Sequence, residues 1–116
     1  MLIRLDHIDI KVADLDATIH VLLLAGMKVL RKAPPPRNSV EMALPGENQI
    51  VIELHPAKEN GFTGVHHIAF RTDGSDLDRL KNEGIVFSTE NQFIAATGRT
   101  VSSFKDPNGL IWQLTD

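Results

Sequence analysis

The sequence predicts an α+β fold in which two βαβββ modules form a curved, mixed eight-stranded sheet with two helices on its outer face. Two stretches, residues 5–12 and 65–72, alternate apolar and polar side chains and both contain a His-Ile pair. Each is followed by an acidic turn and a helical pattern that ends in glycine. A second pair of stretches, residues 49–54 and 109–114, fits the same spacing, so the half-chain is repeated.

The spacing of the repeat can be read from two pairs of polar residues. His7 and His67 stand 60 residues apart (67 − 7), and so do Glu53 and Gln113 (113 − 53). A chain of 116 residues is long enough for one compact domain and too short for two independent ones. We therefore expect a single domain over 1–116, with module one at about 1–56 and module two at about 64–116.

The elements of module one follow from local patterns. Asp14 is a suitable N-cap, and apolar residues then recur at helical spacing until Gly26. Further strands are expected at 27–32, 39–44 and 49–55. Three consecutive prolines at 34–36 cannot join a ladder of hydrogen bonds, so they separate the first two of these strands. They indicate either a rigid loop at the mouth of a site or a plain hairpin connection.

Module two repeats this order after a polar linker at 56–64. The expected elements are a strand at 65–72, a helix at about 75–83 closed by Gly84, and strands at 85–90 with an extension towards 95, at about 99–104 and at 110–115. The first strand of each module places its histidine on the polar face and its isoleucine on the apolar face.

Composition excludes several classes of function. A net charge of −3 and an isoelectric point near 5.9 argue against a nucleic-acid or membrane partner. The chain has no cysteine, which excludes disulfides and thiolate catalysis. The longest apolar run, 21–25, is too short to span a bilayer. We expect a cytoplasmic protein whose partner is a small molecule.

Four polar side chains are candidates for a metal site. His7 and Glu53 lie on the polar faces of the first and fourth strands of module one, and His67 and Gln113 are their equivalents in module two. If a pseudo-twofold axis relates the modules, equivalent residues converge towards it. Two imidazoles, a carboxylate and an amide oxygen suit a divalent first-row metal with positions open for substrate. A lone strand histidine is more often a surface residue, but two pairs at one offset favour the metal site.

Three segments carry a resemblance to a known superfamily. They are Asp-His-Ile at 6–8, Gly-Val-His-His-Ile-Ala-Phe at 64–70 and Phe-Lys-Asp-Pro-Asn-Gly at 104–109. The chain resembles the vicinal oxygen chelate superfamily, whose paired βαβββ modules occur in glyoxalase I, methylmalonyl-CoA epimerase, extradiol dioxygenases and antibiotic-resistance proteins. The likeness covers essentially the whole chain and is closest to methylmalonyl-CoA epimerase and glyoxalase I.

The resemblance assigns the metal ligands to His7, Glu53, His67 and Gln113, and it implies Ni, Co, Zn, Mn or Fe as the ion. Gln113 departs from the pattern, because most metal-binding members have glutamate there. An amide can coordinate through its oxygen but cannot accept a proton as a base. The departure weakens a glyoxalase-like role for this position and the facial triad of a dioxygenase.

The implied reaction is abstraction of a proton from a carbon next to a carbonyl, by an isomerase or a lyase. Glu41 and Glu53 are the candidate bases. Glu41 alternates with Val40 and Met42 and lies in a segment similar to one that supplies an acid-base glutamate in the epimerase. The alternative interpretation is that Glu41 is a solvated side chain on a strand.

Three cations are candidates for substrate binding at the rim. Lys11 and Arg71 are equivalent at the same offset, and Arg99 lies beside a predicted hairpin. They would attract a carboxylate or phosphate, although cations at strand ends are more often merely solvated. Two other histidines, His55 and His66, are expected to be structural, with His66 packed under the helix.

Two further classes of function stay open at this point. Gln113 favours a metal-free small-molecule binding protein of the bleomycin-resistance kind. An extradiol-type dioxygenase is the third hypothesis. The resemblance also implies a homodimer, with modules that pair either within one chain or across two.

Overall fold

The structure is a computed structural model that describes residues 1–116. Its ten elements follow the order β-α-β-β-β twice, as the sequence predicts. The bounds are β1 Leu2–Val12, α1 Leu15–Leu24, β2 Lys28–Lys32, β3 Val40–Ala43, β4 Val51–Pro56, β5 Gly64–Thr72, α2 Asp76–Asn82, β6 Phe87–Ile94, β7 Arg99–Lys105 and β8 Ile111–Thr115. The eight strands belong to a mixed sheet, so the α+β class and the paired βαβββ modules are confirmed.

The chain divides into two compact units. The N-terminal unit is His7–His66, and the C-terminal unit combines Met1–Asp6 with His67–Asp116. In the N-terminal unit the strand order is β2-β3-β4-β1. Strands β1 and β4 are parallel, while β3 pairs antiparallel with both β4 and β2.

The C-terminal unit has the equivalent order, with β5 beside β8, then β7, then β6. Its parallel pair is β5 with β8, and the other pairs are antiparallel. His7 is opposite Val51 in the first parallel pair, and His67 is opposite Ile111 in the second. Both members of the pairing are shifted by 60 residues (67 − 7, 111 − 51), so the repeat extends to hydrogen-bonding register.

Both helices end in the same way. Gly26 has φ +104, and the amide of Met27 donates to the carbonyl of Leu22 at 3.0 Å. Gly84 has φ +97, and the amide of Ile85 donates to Leu80 at 3.0 Å. These bonds form Schellman motifs, which need a left-handed residue and so favour glycine. Neither helix is long and apolar enough to cross a membrane.

The N-terminal unit separates its apolar and polar side chains onto opposite faces of its strands. The centre of its apolar core is Val40, Met42 and Leu54. Helix α1 covers this face through Leu15, Ile19 and Leu22. Asp14 begins the helix by accepting a hydrogen bond from the amide of Ala17 at 3.0 Å, as expected of an N-cap. The alternating side chains of the same strands point to the other face, which carries the candidate site.

In the C-terminal unit, Trp112 is partly buried and stacks on Phe70 with ring centroids 5.7 Å apart. Its indole N–H donates to the carboxylate of Asp106 at 3.0 Å. This bond, together with backbone amides of the same turn, lowers the pKa of Asp106 against a smaller effect of desolvation. The motif at 104–109 therefore anchors the last strand.

Candidate active site

Three carboxylates form a row across adjacent strands of the N-terminal unit. Glu41 on β3 lies directly opposite Glu53 on β4, and Glu53 lies directly opposite Asp9 on β1. Their exposures are only 6%, 2% and 1%. Like charges that face one another across strands are destabilising, and burial makes the repulsion stronger. This acidic row therefore requires compensating cations.

The equivalent row in the C-terminal unit is neutral. Gln113 on β8 lies opposite Ala69 on β5 and opposite Ser103 on β7. Gln113 is thus one part of a wider difference between the modules. The ionised side chains that could move a proton are concentrated in the N-terminal unit.

His7 is the first group to face the acidic row. Its exposure is 2%, and its Nε2 lies 3.7 Å from Oε2 of Glu53. The two residues are predicted metal ligands, and the structure brings them together in the N-terminal unit. They lie on the same face because His7 precedes Asp9, the partner of Glu53, by two residues.

The other carboxylate oxygen of Glu53 is held by two cationic groups. Nη2 of Arg37 donates to Oε1 at 2.8 Å, and Nε2 of His55 lies 3.0 Å from the same oxygen. Burial alone would raise the pKa of Glu53, but these hydrogen bonds and the charge of His7 outweigh it and hold the pKa well below its usual range. Glu53 is therefore ionised at neutral pH.

His55 joins Glu53 to Asp9. Its Nε2 lies 2.7 Å from Oδ2 of Asp9, so one ring nitrogen contacts both carboxylates. Burial alone would lower the pKa of His55, but its contacts with Asp9 and Glu53 outweigh burial and raise the pKa above its ordinary value of 6.5. An imidazolium between two carboxylates offsets part of the repulsion in the acidic row.

The donor set of the N-terminal unit fits a divalent cation. Bonds of about 2.1 Å to one ion place two ligand atoms roughly 3–4 Å apart, and the separation between His7 and Glu53 falls in that range. Arg37 and His55 bind Oε1, which orients the carboxylate so that Oε2 faces His7. Ligands of catalytic metals are commonly oriented by such outer hydrogen bonds.

His67 and Gln113 belong to the C-terminal unit. His67 is 9% exposed and Gln113 is partly buried. Gln113 lies opposite Ala69, two residues beyond His67, so the pair repeats the arrangement of His7 and Glu53. Both predicted pairs of ligands are therefore formed within their own units.

The three predicted rim cations differ in their surroundings. Nζ of Lys11 lies 3.9 Å from Oδ1 of Asp9. Nε of Arg99 donates to Asp6 at 3.0 Å, and its side chain is only 15% exposed. Arg71 is exposed and lines a cavity of about 500 Å³ in the C-terminal unit.

Four contributors to the site were not identified by sequence reasoning. Asp9, His55 and Arg37 contact Glu53 or its neighbours, and His66 lies with Nδ1 3.9 Å from Oδ1 of Asp9. The placement of His66 under the helix was wrong, since its side chain is 39% exposed. Desolvation lowers the pKa of His66, partly opposed by Asp9. Alternation along β1 and β4 was a usable signal for Asp9 and His55.

Comparison with known proteins places this geometry in a family. The model of the Glyoxalase/Bleomycin resistance protein/Dioxygenase superfamily matches residues 6–102. A search of curated proteins gave no match.

Several solved structures share the fold. A variant of Streptomyces coelicolor methylmalonyl-CoA epimerase in complex with 2-nitronate-propionyl-CoA is 20% identical, with a TM-score of 0.81 and coverage of 99% of this chain and 97% of that one. The Mycobacterium tuberculosis methylmalonyl-CoA epimerase is 23% identical, with a TM-score of 0.79 and coverage of 98% and 87%. A hypothetical protein from Bacillus halodurans is 22% identical, with a TM-score of 0.73 and coverage of 97% and 92%. From the match over most of its length, the chain belongs to the glyoxalase, bleomycin resistance protein and dioxygenase superfamily.

Proposed function

We propose that this protein is a divalent-metal-dependent isomerase or lyase that abstracts a proton next to a carbonyl of a small chelating substrate. The observation that carries the proposal is the buried acidic row of Glu41, Glu53 and Asp9, with His7 beside Glu53. A binding pocket for a neutral molecule has no need of three buried carboxylates. A site that holds a cation and moves a proton uses both properties.

His7 and Glu53 would hold the ion, and His67 and Gln113 are the further ligands implied by the resemblance, from the same chain or from a second copy. A bound divalent ion supplies Lewis-acid stabilisation to the oxygen on which charge develops. The ion would be Ni, Co, Zn, Mn or Fe. The paired arrangement within each unit supports this ligand set.

Glu41 is the better candidate for the base. Glu53 has a strongly lowered pKa because His55 and Arg37 stabilise its charge, despite burial. A carboxylate with such a low proton affinity is a weak base and a good ligand. Glu41 lies beside it on the neighbouring strand, and its 6% exposure contradicts the alternative of a solvated side chain. Glu41 would take the proton and return it to the same carbon or a neighbouring atom.

The neighbours favour isomerisation of an acyl thioester. Their titles name methylmalonyl-CoA and 2-nitronate-propionyl-CoA as bound molecules. An epimerase that uses two bases needs a second carboxylate, and the neutral row around Gln113 does not supply one. We therefore expect one-base chemistry centred on the N-terminal unit.

Exchange of a substrate proton with solvent tests the proposal directly. Metal-loaded protein is incubated with methylmalonyl-CoA in deuterium oxide, and the deuterium incorporated at the carbon next to the thioester is followed by mass spectrometry. We expect exchange well above the uncatalysed rate, loss on chelation, and a decrease of at least about a hundredfold in Glu41→Gln, as expected when a general base is removed. Glu47→Gln, an exposed position in a turn, is the matched control.

Exchange that continues unchanged in metal-free protein would contradict the metal-dependent mechanism. Tight binding of the thioester without exchange would instead favour a metal-free binding protein. A specific feature of the site supports that second candidate, because Arg37 and His55 already offset the charge of Glu53 without a metal. Oxygen consumption with a catechol and bound iron would favour a dioxygenase.

A homodimer is a further part of the proposal. The superfamily resemblance supports it, and the exposed apolar side chains include Leu24 at 76%, Val86 at 85% and Phe93 at 63%. Exposed apolar side chains favour association with another surface. Light scattering during gel filtration should give twice the chain mass of 12.8 kDa. A mass equal to one chain would contradict the dimer.

A further inference from the structure

Arg37 is not explained by the ligand set. It lies between the triple proline and β3, and its guanidinium is fixed at two points. Nε donates to Oγ of Ser39 at 3.2 Å, and Nη2 donates to Oε1 of Glu53 at 2.8 Å. Two anchors on one planar group determine its orientation as well as its position.

The remaining edge of the guanidinium is open. Nη1 makes no hydrogen bond within the protein, and the side chain is 33% exposed although Glu53 is 2% exposed. Nη1 and Nη2 share one carbon atom, so a group bound to Nη1 lies beside the carboxylate that faces His7. Arginine presents five N–H donors and only two are used for anchoring.

Charge determines which group this edge suits. An anion that approaches the acidic row is repelled by the ionised carboxylates there, unless a fixed cation stands in its path. Arg37 is a cation of that kind, anchored rather than freely rotating. A planar carboxylate matches the geometry of a guanidinium edge, and it brings a single charge rather than the larger charge of a phosphate.

We propose that Arg37 determines substrate specificity by binding a carboxylate of the substrate next to the reacting carbon. This inference rests on the proposed function for the identity of the reacting centre. It narrows the substrate class to carbonyl compounds that bear a carboxylate close to the carbon that loses a proton.

Malonate is a suitable probe because it carries two carboxylates, and dimethyl malonate is its neutral counterpart. Binding is measured by calorimetry in metal-free and zinc-loaded protein, and the ¹⁵N signal of the Arg37 Nε–H group is followed by NMR. We expect malonate, but not the ester, to bind and to shift this signal in both forms. Arg37→Gln should weaken malonate binding by at least about tenfold, since charge-assisted hydrogen bonds are lost.

Two further variants keep the result interpretable. Arg37→Lys preserves the charge without the planar fork, so it should bind malonate less tightly than the wild type and more tightly than Arg37→Gln. Arg4→Gln removes one positive charge from the C-terminal unit and should leave the affinity unchanged. Circular dichroism verifies that each variant is folded.

The failures are distinguishable. Malonate that does not bind the wild type up to millimolar concentration, or that binds Arg37→Gln equally well, overturns the role of Arg37. Zinc uptake in that same variant shows that the metal proposal survives. Malonate binding that depends on Arg37 in a protein that never takes up metal has the opposite meaning, since it sustains the carboxylate site and contradicts the metal-dependent function.

Discussion

His55 stabilises two buried carboxylates through a single ring nitrogen. Replacement by glutamine leaves Asp9 and Glu53 with fewer cationic neighbours, and removal of one partner from a buried charged group is costly. We predict that His55→Gln lowers the free energy of unfolding of metal-free protein by about 2–3 kcal/mol. Urea denaturation measures this, with His20→Gln on the exposed side of α1 as the control. Equal stabilities of the two variants would contradict the role of His55.

The contribution of His55 to stability depends on pH. Its pKa is raised in the folded protein, because the contacts with Asp9 and Glu53 outweigh burial. Its stabilising effect is therefore complete below its unfolded value of 6.5 and is lost as the pH rises through the folded pKa. We predict that the difference in unfolding free energy between wild type and His55→Gln decreases from pH 6 towards higher pH, in about 1 mM chelator. A difference that grows with pH would contradict this.

Glu53 responds in the opposite direction. Its pKa is lowered by His55 and Arg37 against the effect of burial, so its contribution is present above the unfolded value of 4.5 and is lost as the pH falls. Together the two groups predict a maximum of stability between these two unfolded values. Unfolding curves of wild-type protein from acid to neutral pH measure that maximum.

Residues of the site differ in how far the sequence could predict them. Alternation along a strand is local, so it placed His7 and Glu53 on the polar face correctly. The contact of His55 with Asp9 depends on register between strands that are far apart in sequence, although β4 has His55 on the same face as Glu53. Arg37 reaches Glu53 from a proline-rich loop, and the path of such a loop cannot be read from residue types.

At the scale of the elements, the two helix ends provide a matched pair. Gly26 and Gly84 both have positive φ, and an added Cβ at either position would meet no other atom within 4 Å. Substitution by alanine therefore costs only the strain of a left-handed backbone. We predict that Gly26→Ala and Gly84→Ala each lower the free energy of unfolding by about 1–2 kcal/mol. Thermal unfolding of both variants checks this, and a cost confined to one of them would contradict an equivalent role in the two modules.

Element bounds were predicted closely where the pattern was repeated. The strand expected at 65–72 occupies Gly64–Thr72, and the helix expected at about 75–83 occupies Asp76–Asn82. The offset of 60 residues appears again in the pairing of β1 with β4 and of β5 with β8. The packing of His66 was predicted wrongly, because strand parity gives a face and not the path of a long side chain near the start of a strand.

At the scale of the whole molecule, the two modules share topology but not charge. The N-terminal unit has a row of three carboxylates, and the C-terminal unit has alanine, glutamine and serine in the equivalent place. Duplication therefore preserved the pairing of strands while the chemistry became concentrated in one half. The module with the acidic row is the one that contains Arg37 and His55.

This asymmetry predicts the effect of restoring a carboxylate. Gln113→Glu adds a charged oxygen ligand, which should raise the affinity for zinc by about tenfold, because affinity increases with ligand charge. Competition with a chromophoric chelator measures the change. Gln49→Glu, which adds the same charge at an exposed position, should have no effect. Equal increases in both variants would indicate a general electrostatic effect and would contradict a ligand role for residue 113.

The metal content of the purified protein tests the central claim most directly. Elemental mass spectrometry should find about one divalent ion per chain, retained in His20→Ala and lost in both His7→Ala and His67→Ala, since each removes a nitrogen ligand. Loss in both variants would establish that the two modules contribute to one kind of site. Wild-type protein that contains no metal above background, even after reloading with nickel, cobalt, zinc, manganese and iron in turn, would contradict the metal-dependent function.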